Sequence, residues 1–205
     1  MHKIISENHP FFLGFFVWLI VGAILQIFFT QNELIFWVNQ HNNSWLDLLF
    51  KYGTNLGDGV FGAIFVIILL VFRQKKSAFS AALSLIFISG IFIYYLKEYL
   101  RTPRPITVFT NNLKEIHLVE GVKIAEWFSF PSGHTAVAFT IFMVFSLIIK
   151  NKNWGIFFLF LAIFVGYSRM YLFQHFAIDV YAGSIFGVVF TLIIFYFFEK
   201  RVQKI

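Results

Sequence analysis

Residues 154–198 have the sequence WGIFFLFLAIFVGYSRMYLFQHFAIDVYAGSIFGVVFTLIIFYFF. This stretch contains two apolar segments, from Trp154 to Leu172 and from Phe176 to Phe198. A helix needs about 20 predominantly apolar residues to cross the hydrocarbon core of a bilayer, and each segment meets that length without help from its flanks. The two segments therefore predict consecutive transmembrane helices, and the rest of the chain is interpreted outward from them.

The composition of the whole chain supports a membrane protein. Of its 205 residues, 59% are hydrophobic and 13% are charged, and 31 are Phe. Soluble domains have roughly 45–50% apolar and about 25% charged residues. A soluble fold of this size could not cover so much apolar surface, and the same composition excludes a disordered chain. The lack of Cys excludes disulfides and thiolate chemistry, and the net charge of +6 is better explained by membrane topology than by nucleic-acid binding.

Four further segments complete the prediction of an all-α, polytopic membrane protein with a single domain over residues 1–205 and six transmembrane helices. The predicted spans lie near 11–29, 57–72, 78–97, 132–149, 154–172 and 176–198. The second span is short unless it includes Leu56 to Gly59, and the fourth must begin near Ser132. Two other segments have apolar residues set among polar ones, which predicts short helices lying in the membrane interface. They are Ser44 to Tyr52, and a stretch marked by Leu113, Ile116, Val119, Ile124, Trp127 and Phe128.

Lysine and arginine residues predict the orientation of these spans. With six spans, both termini lie on one side, and nine of the 16 basic residues belong to the short segments on that side. These are Lys3, Arg73, Lys75, Lys76, Lys150, Lys152, Lys200, Arg201 and Lys204. Because positive charges accumulate in cytoplasmic loops, the sequence predicts cytoplasmic termini and an opposite side that faces the periplasm or the exterior.

Three polar clusters lie at the predicted outward ends of the spans, where charged residues are costly and therefore point to function. The first cluster runs from Lys97 to Pro105. The prolines at 103 and 105 cannot continue the third helix, so the chain turns and Arg104 can fold back near Lys97. A guanidinium fork and an ammonium group together suit a phosphate. The alternative is a positively charged helix end beside lipid headgroups.

The second cluster is Pro131-Ser132-Gly133-His134. Ser132 stands where the N-cap of the fourth helix is expected, and Gly133 lets a ligand approach the backbone closely. The free N–H groups of a helix start form an anion site, and His134 lies in the first turn beside it. The alternative is an ordinary helix cap with a histidine in the membrane interface.

The third cluster consists of Ser168-Arg169, His175 and Asp179. A spacing of four puts His175 and Asp179 on one face of the sixth helix. The carboxylate can accept a hydrogen bond from one imidazole nitrogen and leave the lone pair of the other pointing outward, as in an oriented nucleophile. The alternatives are a structural polar pair within the bundle and a metal site. Cations at 97, 104 and 169 would repel a metal ion, so no metal is predicted.

Taken together, the three clusters resemble the signature of the type 2 phosphatidic acid phosphatase family. That signature consists of Lys, six residues and Arg-Pro, then Pro-Ser-Gly-His, then Ser-Arg, five residues, His, three residues and Asp. Every spacing is met between Lys97 and Asp179, and the six predicted spans match the membrane branch of the family. The hydropathy of the chain argues against the soluble haloperoxidase branch, which shares the signature.

The resemblance implies a reaction and a role for each residue. His175 would be the nucleophile that forms a phosphohistidine, Asp179 would hold its imidazole, and His134 would protonate the leaving oxygen and then activate water. The phosphate-binding groups would be Lys97, Arg104, Arg169, Ser132 and the Gly133 N–H. The implied reaction is the hydrolysis of a lipid phosphate, either a monoester or a diphosphate, without metal or other cofactor, at the outer face of a bacterial cell membrane.

Several alternatives stay open at this point. The substrate could be phosphatidylglycerol phosphate, phosphatidic acid, undecaprenyl diphosphate or a phosphate of lipid A. A phosphotransferase of the same family would hand the phosphoryl group to another lipid. A transporter or channel with a charged path is a different class of protein, and it predicts inverted repeats or broken helices, which the sequence does not suggest. The sequence assigns no role to the 106–130 loop or to Asp58.

Overall fold

The computed structural model describes residues 1–110, 114 and 116–202, and this part of the chain is predominantly helical. Its helices are α1 (His2–Glu7), α2 (His9–Phe28), α3 (Gln31–Gln40), α4 (Ser44–Gly53), a 3-10 turn (Thr54–Gly57), α5 (Gly59–Val71), α6 (Lys75–Leu85), a π-helical segment (Ile86–Phe92), α7 (Ile93–Leu100), α8 (Pro105–Val108), α9 (Gly133–Ile148), α10 (Trp154–Tyr171) and α11 (Ala177–Val202). An isolated bridge joins Pro103 to Trp127. The prediction of an all-α chain is confirmed.

Helix length and hydropathy identify four candidate membrane spans in the described residues. They are His9–Phe28, Lys75–Leu100, Trp154–Tyr171 and Ala177–Phe198. A fifth crossing results if Ser44–Gly57 and Gly59–Val71, which meet at an angle of 57°, form one bent span. Helix α9 is apolar but has only 16 residues, and at a rise of about 1.5 Å per residue it is shorter than a typical bilayer core. Six crossings therefore stay a prediction.

Helix α9 occupies the centre of the bundle. Eleven of its residues are buried, and α10, α11, α5 and α6 pack around it. Phe139 and Met143 belong to a core shared with α2 and α10, whereas Val137 and Ile141 belong to a core shared with α5 and α6. A helix surrounded by protein does not have to match the thickness of the bilayer, and its first turn is held from several directions.

Glycines bring two elements against the first turn of α9. A Cβ on Gly183 of α11 would lie 2.6 Å from the carbonyl oxygen of Ser132, and a Cβ on Gly57 would collide with the carbonyl oxygen of His134. Only glycine permits backbones to approach this closely. The N–H of Ser132 also donates to the carbonyl of Asp179 at 3.0 Å. The beginnings of α9 and α11 are therefore fixed to each other.

The bundle has two ends of different character. At one, which we call the site end, α7 and α10 finish and α9 and α11 begin. At the other, which we call the basic end, Lys3, Lys75 and Lys76 line a cavity together with Phe195 and Phe198. The lysine of the N-terminus and those at the start of α6 therefore lie close together, at the opposite end from the three polar clusters.

The loop before α9 does not form the interfacial helix predicted for it. The predicted segment contains no α-helix among its described residues, which include Ile116, Val119, Ile124, Trp127 and Phe128. Ile116 is buried in a cluster with Phe173, and Val119 is buried in a cluster with Tyr171. The prediction was wrong because Ile116 and Val119 pack onto the end of α10 and the turn after it, while the segment around them is not α-helical. Leu113 lies outside the described residues.

The other segment predicted to lie in the interface is helical, as α4. Asn43 caps it, since its Oδ1 accepts from the N–H groups of Trp45 and Leu46 at 3.1 and 3.0 Å. Later in the helix, Asp47 Oδ1 accepts a hydrogen bond from the Tyr171 hydroxyl at 2.6 Å. The helix is thereby attached to the end of α10, and its position in the membrane interface stays a prediction.

Candidate active site

His175 lies in the tight turn between α10 and α11. The N–H groups of Gln174 and His175 both donate to the carbonyl of Arg169, at 2.9 and 3.2 Å, and this closes the C-terminus of α10. Phe173 takes a positive φ of 56° in the same turn. His175 is only 2% exposed, so the turn places its imidazole inside the site end and away from bulk solvent.

Asp179 orients the imidazole of His175. Its Oδ2 lies 3.4 Å from His175 Nδ1, and the same oxygen accepts hydrogen bonds from Ser129 Oγ at 2.5 Å and from the Phe176 N–H at 2.9 Å. Ser129 Oγ is also 3.4 Å from Nδ1. Nδ1 is thus the nitrogen that faces the carboxylate, and Nε2 is the nitrogen left for chemistry.

The surroundings of His175 favour its neutral form. Burial lowers the pKa of His175 well below its ordinary value, and the positive charges of Arg104, Arg169 and Lys97 lower it further. A neutral imidazole keeps the lone pair that an attack on phosphorus requires. His175 is therefore suited to act as a nucleophile at neutral pH.

The segment that precedes α9 holds Lys97 and Arg104. Lys97 Nζ donates to the carbonyl of Phe128 at 2.5 Å, and Arg104 Nε donates to the carbonyl of Trp127 at 3.0 Å. Arg104 Nη1 also donates to the carbonyl and the Oε1 of Gln174, at 3.2 and 3.0 Å. The two cations are thus held on successive carbonyls. Because these acceptors are neutral, the positive charges remain to attract an anion.

Arg169, in the last turn of α10, is the most deeply buried of the three predicted cations, with 7% exposure. Its Nη1 donates to Thr54 Oγ1 at 2.9 Å, whereas its Nε is buried and has no hydrogen-bond partner in the part of the chain that the structure describes. A buried donor on a charged group is costly unless it has an acceptor. The Nε–H is therefore suited to bind an anion, and Thr54 fixes the guanidinium that carries it.

The first turn of α9 supplies backbone donors. Ser132 is the N-cap, and its Oγ accepts from the N–H and the hydroxyl of Thr135 at 3.4 and 2.9 Å. The N–H groups of Gly133 and His134 belong to the donors that a helix start leaves without an intrahelical partner. A Cβ added at Gly133 would meet nothing within 4 Å, so there is space beside this backbone. An anion placed there is also stabilised by the helix dipole.

His134 is more accessible than His175. It lines a cavity of about 350 Å³ that Arg169 and Gln174 also line, and its side chain is 33% exposed. Its Nε2 lies 3.8 Å from Asp58 Oδ2, while Asp58 Oδ1 caps α5 by accepting from the Val60 N–H at 2.7 Å. A histidine in this position can exchange protons with water or with a leaving oxygen, which the enclosed His175 cannot do as easily.

The structure brings all the predicted site residues to the site end. They are Lys97, Arg104, Ser132, Gly133, His134, Arg169, His175 and Asp179, and they come from α7, the loop after it, and α9, α10 and α11. Sequence reasoning missed three partners, Ser129, Thr54 and Gln174. Gln174 precedes His175 directly, which was a usable signal. Ser129 and Thr54 gave none, because the residues that they contact lie 50 and 115 positions away.

The chemistry of the site follows from this set of groups. Within the described residues, no group of three His, Asp or Glu side chains is arranged to hold a metal ion. The site instead combines three cations and a helix start with one enclosed imidazole and one accessible imidazole. Such an arrangement can bind a tetrahedral anion, stabilise charge on its oxygens and transfer a phosphoryl group to a nitrogen.

The chain is similar in sequence and in fold to known proteins. The model of a family described as the PAP2 superfamily matches residues 77–203, a range that contains all three polar clusters. The crystal structure of Aquifex aeolicus LpxE is 30% identical and superposes with a TM-score of 0.68, covering 80% of this chain and 93% of that chain.

Two further proteins are similar over different extents. The first transmembrane PAP2-type phosphatidylglycerolphosphate phosphatase from Bacillus subtilis is 24% identical and has a TM-score of 0.65, with 98% of each chain covered, which shows a shared fold. The bacitracin transport permease protein BcrC of Bacillus licheniformis is 40% identical over 68 residues. That match covers 33% of this chain and 32% of the relative, so the chain spans about a third of that relative's length.

Proposed function

The chain belongs to the PAP2 superfamily, and from this premise we propose that it hydrolyses a lipid phosphate through a phosphohistidine intermediate. The observation that carries the proposal is the enclosed imidazole of His175, whose Nδ1 is held by Asp179 within a group of cations. A buried polar pair needs no surrounding cations for its own stability, and three cations together are costly unless they bind an anion. A nucleophile and a phosphate site in one place explain both features.

In the first step, Nε2 of His175 attacks phosphorus. A P–N bond forms and the P–O bond to the lipid breaks, while His134 donates its proton to the leaving oxygen. Lys97, Arg104 and Arg169 stabilise the charge on the non-bridging oxygens, together with the N–H groups of the α9 start. Asp179 keeps the imidazole in the tautomer that presents the lone pair of Nε2.

In the second step, water hydrolyses the phosphohistidine. His134, now neutral, takes a proton from the attacking water, the P–N bond breaks, and His175 recovers its lone pair. Inorganic phosphate leaves, and His134 is again protonated, so the site returns to its starting state. The fixed cations supply the electrostatic stabilisation in both steps, and the proposed reaction has no step through a metal ion.

We place the site end at the outer face of the cell membrane, with six crossings and both termini in the cytoplasm. The lysines at the basic end support this orientation because positive charges accumulate on the cytoplasmic side. Since the chain has no Cys, single-cysteine labelling has no background. Lys114→Cys should react with an impermeant maleimide in intact spheroplasts, whereas Lys75→Cys should react only after permeabilisation. The reverse pattern would contradict an outward site.

The distribution of buried charge favours an enzyme over a transporter. Among the described residues, the buried groups able to carry charge are Arg169, His175 and Asp179, and all three lie at the site end. Along α9 towards the basic end, the central residues include the fully buried Ile141 and Met143. A charged substrate path would need ionisable groups at several depths of the membrane.

The proposed function is tested by phosphate release from the purified protein in detergent with EDTA. The substrates are phosphatidic acid, phosphatidylglycerol phosphate, a prenyl diphosphate and lipid A. We expect release of inorganic phosphate from at least one of them, undiminished by EDTA and inhibited by vanadate, which can mimic pentavalent phosphorus. Activity that is lost on chelation and restored by Mg²⁺ would contradict the metal-free mechanism, and no release from any substrate would contradict the function.

A further inference from the structure

The cavity beside His134 carries more positive charge than one phosphate site requires. Besides His134 and Arg169, its lining includes Lys51 and Lys123, and no Asp or Glu belongs to the lining among the described residues, although Asp58 faces His134 from outside it. Asn55 also lines it and adds an amide group. Lys51 and Lys123 are absent from the three polar clusters, and the mechanism above gives them no role.

Lys51 is positioned by the loop that precedes α9. It extends from the last turn of α4, and its Nζ donates to the carbonyl of Glu120 at 2.6 Å. A Cβ added at Gly121 would lie 2.8 Å from the same Nζ, and Gly121 has a positive φ of 74°. The ammonium group is thus held against a tight backbone turn by a neutral acceptor, which leaves its charge uncompensated.

Lys123 is positioned through its backbone. Its carbonyl accepts a hydrogen bond from Gln174 Nε2 at 3.1 Å, and the Oε1 of the same Gln174 accepts from Arg104 Nη1 at 3.0 Å. Gln174 therefore ties the backbone of Lys123 to a cation of the phosphate site. Neither Lys51 nor Lys123 forms an ion pair with a described carboxylate.

We propose that Lys51 and Lys123 bind a second phosphate of the substrate, which is carried by the leaving group. The proposal rests on the proposed function, because it uses His134 as the acid that protonates the leaving oxygen. That oxygen must lie at His134, so the group attached to it enters the cavity that His134 lines. A cavity lined by two ammonium groups and, among the described residues, by no carboxylate suits an anionic leaving group and not a neutral alcohol.

Two kinds of lipid offer such a second phosphate. In a lipid diphosphate, the second phosphorus is one bridging oxygen away from the phosphorus that is attacked. In a phosphorylated glycerophospholipid, a glycerol unit separates the terminal phosphate from the phosphodiester. Both carry negative charge on the leaving group, and they differ in the distance between the two phosphorus atoms.

The test compares substrates whose leaving group does or does not carry a second phosphate. Farnesyl diphosphate is paired with farnesyl phosphate, and phosphatidylglycerol phosphate is paired with phosphatidic acid, in wild type, Lys51→Gln, Lys123→Gln and the double variant. Lys114→Gln is the control, because Lys114 is an exposed lysine of the same loop that does not line the cavity. The measured quantity is the ratio of kcat/KM within each pair.

Each single variant should lower the ratio for one substrate pair by about tenfold, which corresponds to about 1.4 kcal/mol. The double variant should lower it further than either single variant, by less than the product of the two effects because both lysines bind the same phosphate. An effect on the farnesyl pair alone identifies a diphosphate, and an effect on the glycerolipid pair alone identifies a phosphodiester. Lys51→Arg should keep most of the preference. A ratio of kcat/KM that is unchanged for both pairs in all variants, including the case of equal losses on the two substrates of a pair, would overturn the proposal.

A binding measurement keeps the proposal testable if a variant folds poorly. Methylenediphosphonate, which is not hydrolysed, should bind wild type more tightly than orthophosphate, with an affinity that falls as salt is raised. Equal affinity for the two anions would overturn a site for a diphosphate, and equal affinity for glycerol 1,3-bisphosphate and glycerol 3-phosphate would overturn a site for the more distant phosphodiester. A different result would contradict the proposed function itself, namely that the wild-type protein releases no phosphate from any of the lipids.

Discussion

The two ends of the bundle both concentrate cations, but they hold them in different ways. At the basic end, Lys75 and Lys76 are exposed, and Lys3 lies 3.9 Å from Glu7 with 74% of its side chain accessible. At the site end, Arg169 is 7% exposed, and its Nε has no hydrogen-bond partner within the described residues. Basic side chains are thus solvated at one end, and one of them is enclosed at the other.

The difference predicts which positive charges take part in the proposed reaction. A solvated lysine near lipid headgroups contributes little to stability and mainly orients the chain in the membrane. An enclosed cation costs free energy through desolvation, and the cost is offset only when an anion or another partner is bound. Substitutions at the site end should therefore remove activity, whereas matched substitutions at the basic end should not.

The largest effect is expected from the histidines. His175→Ala removes the nucleophile, so kcat should fall by roughly 10⁴-fold or more and no phosphoenzyme should form. His134→Ala should lower kcat by about 10²–10⁴-fold and leave slow phosphoenzyme formation with a good leaving group. His2→Ala, at the basic end, is the matched control. Acid-labile phosphoenzyme in His175→Ala, at the wild-type level, would show that another residue is the nucleophile.

A smaller effect is expected from single cations. Arg169→Gln should lower kcat/KM by about 10²–10³-fold, since one fixed donor to the phosphoryl oxygens is lost in an enclosed site. Lys76→Gln should change kcat/KM by less than about twofold, because an exposed charge contributes little. Steady-state kinetics with one lipid phosphate checks both variants. Similar losses in the two would remove the contrast between the two ends.

The smallest effect is expected from the serine that supports Asp179. Ser129→Ala deletes one of three described hydrogen bonds to Oδ2, and the Phe176 N–H and His175 Nδ1 keep the other two. A charge-assisted bond of about 1.5 kcal/mol predicts a fall in kcat of about tenfold, with KM nearly unchanged. Ser80→Ala, a buried serine of α6, controls for the loss of a buried hydroxyl. A rise in KM with kcat unchanged would instead indicate that Ser129 contacts the substrate.

The two ends of the bundle can also be compared by how helix packing positions their side chains, and the Gly183 contact shows this for the site end. It brings α11 against the carbonyl of Ser132, so the site end depends on helix positions as well as on charges. Gly155 likewise brings the start of α10 close to the backbone of Phe11 at the other end of the bundle. The lysines at 75 and 76 are exposed there, and solvated side chains tolerate many backbone positions, so their placement depends less on helix packing than that of the enclosed groups at the site end.

The sequence by itself determined the helices and the three clusters. Apolar length predicted α2, α10 and α11 closely, because crossing a bilayer imposes a local and uniform requirement on composition. The N-cap at Ser132 and the proximity of His175 to Asp179 also followed from the sequence, since both depend on residues three or four positions apart. The helical face predicted for this pair was wrong in one respect, because α11 begins at Ala177 and His175 lies in the turn before it. Membership of the PAP2 superfamily confirmed the resemblance that these short motifs carried.

Tertiary structure alone decided what joins distant parts of the chain. Ser129 reaches Asp179 across 50 positions once the loop before α9 packs on α11, and Thr54 reaches Arg169 across 115 once the 3-10 turn packs on α10. The contacts of the loop before α9 could not be predicted from the sequence either, because apolar residues that pack on protein and those that face lipid have the same local pattern. The periodicity of the sequence indicates that a side chain is removed from water. Whether that side chain contacts protein or lipid is decided by the packing of the whole bundle.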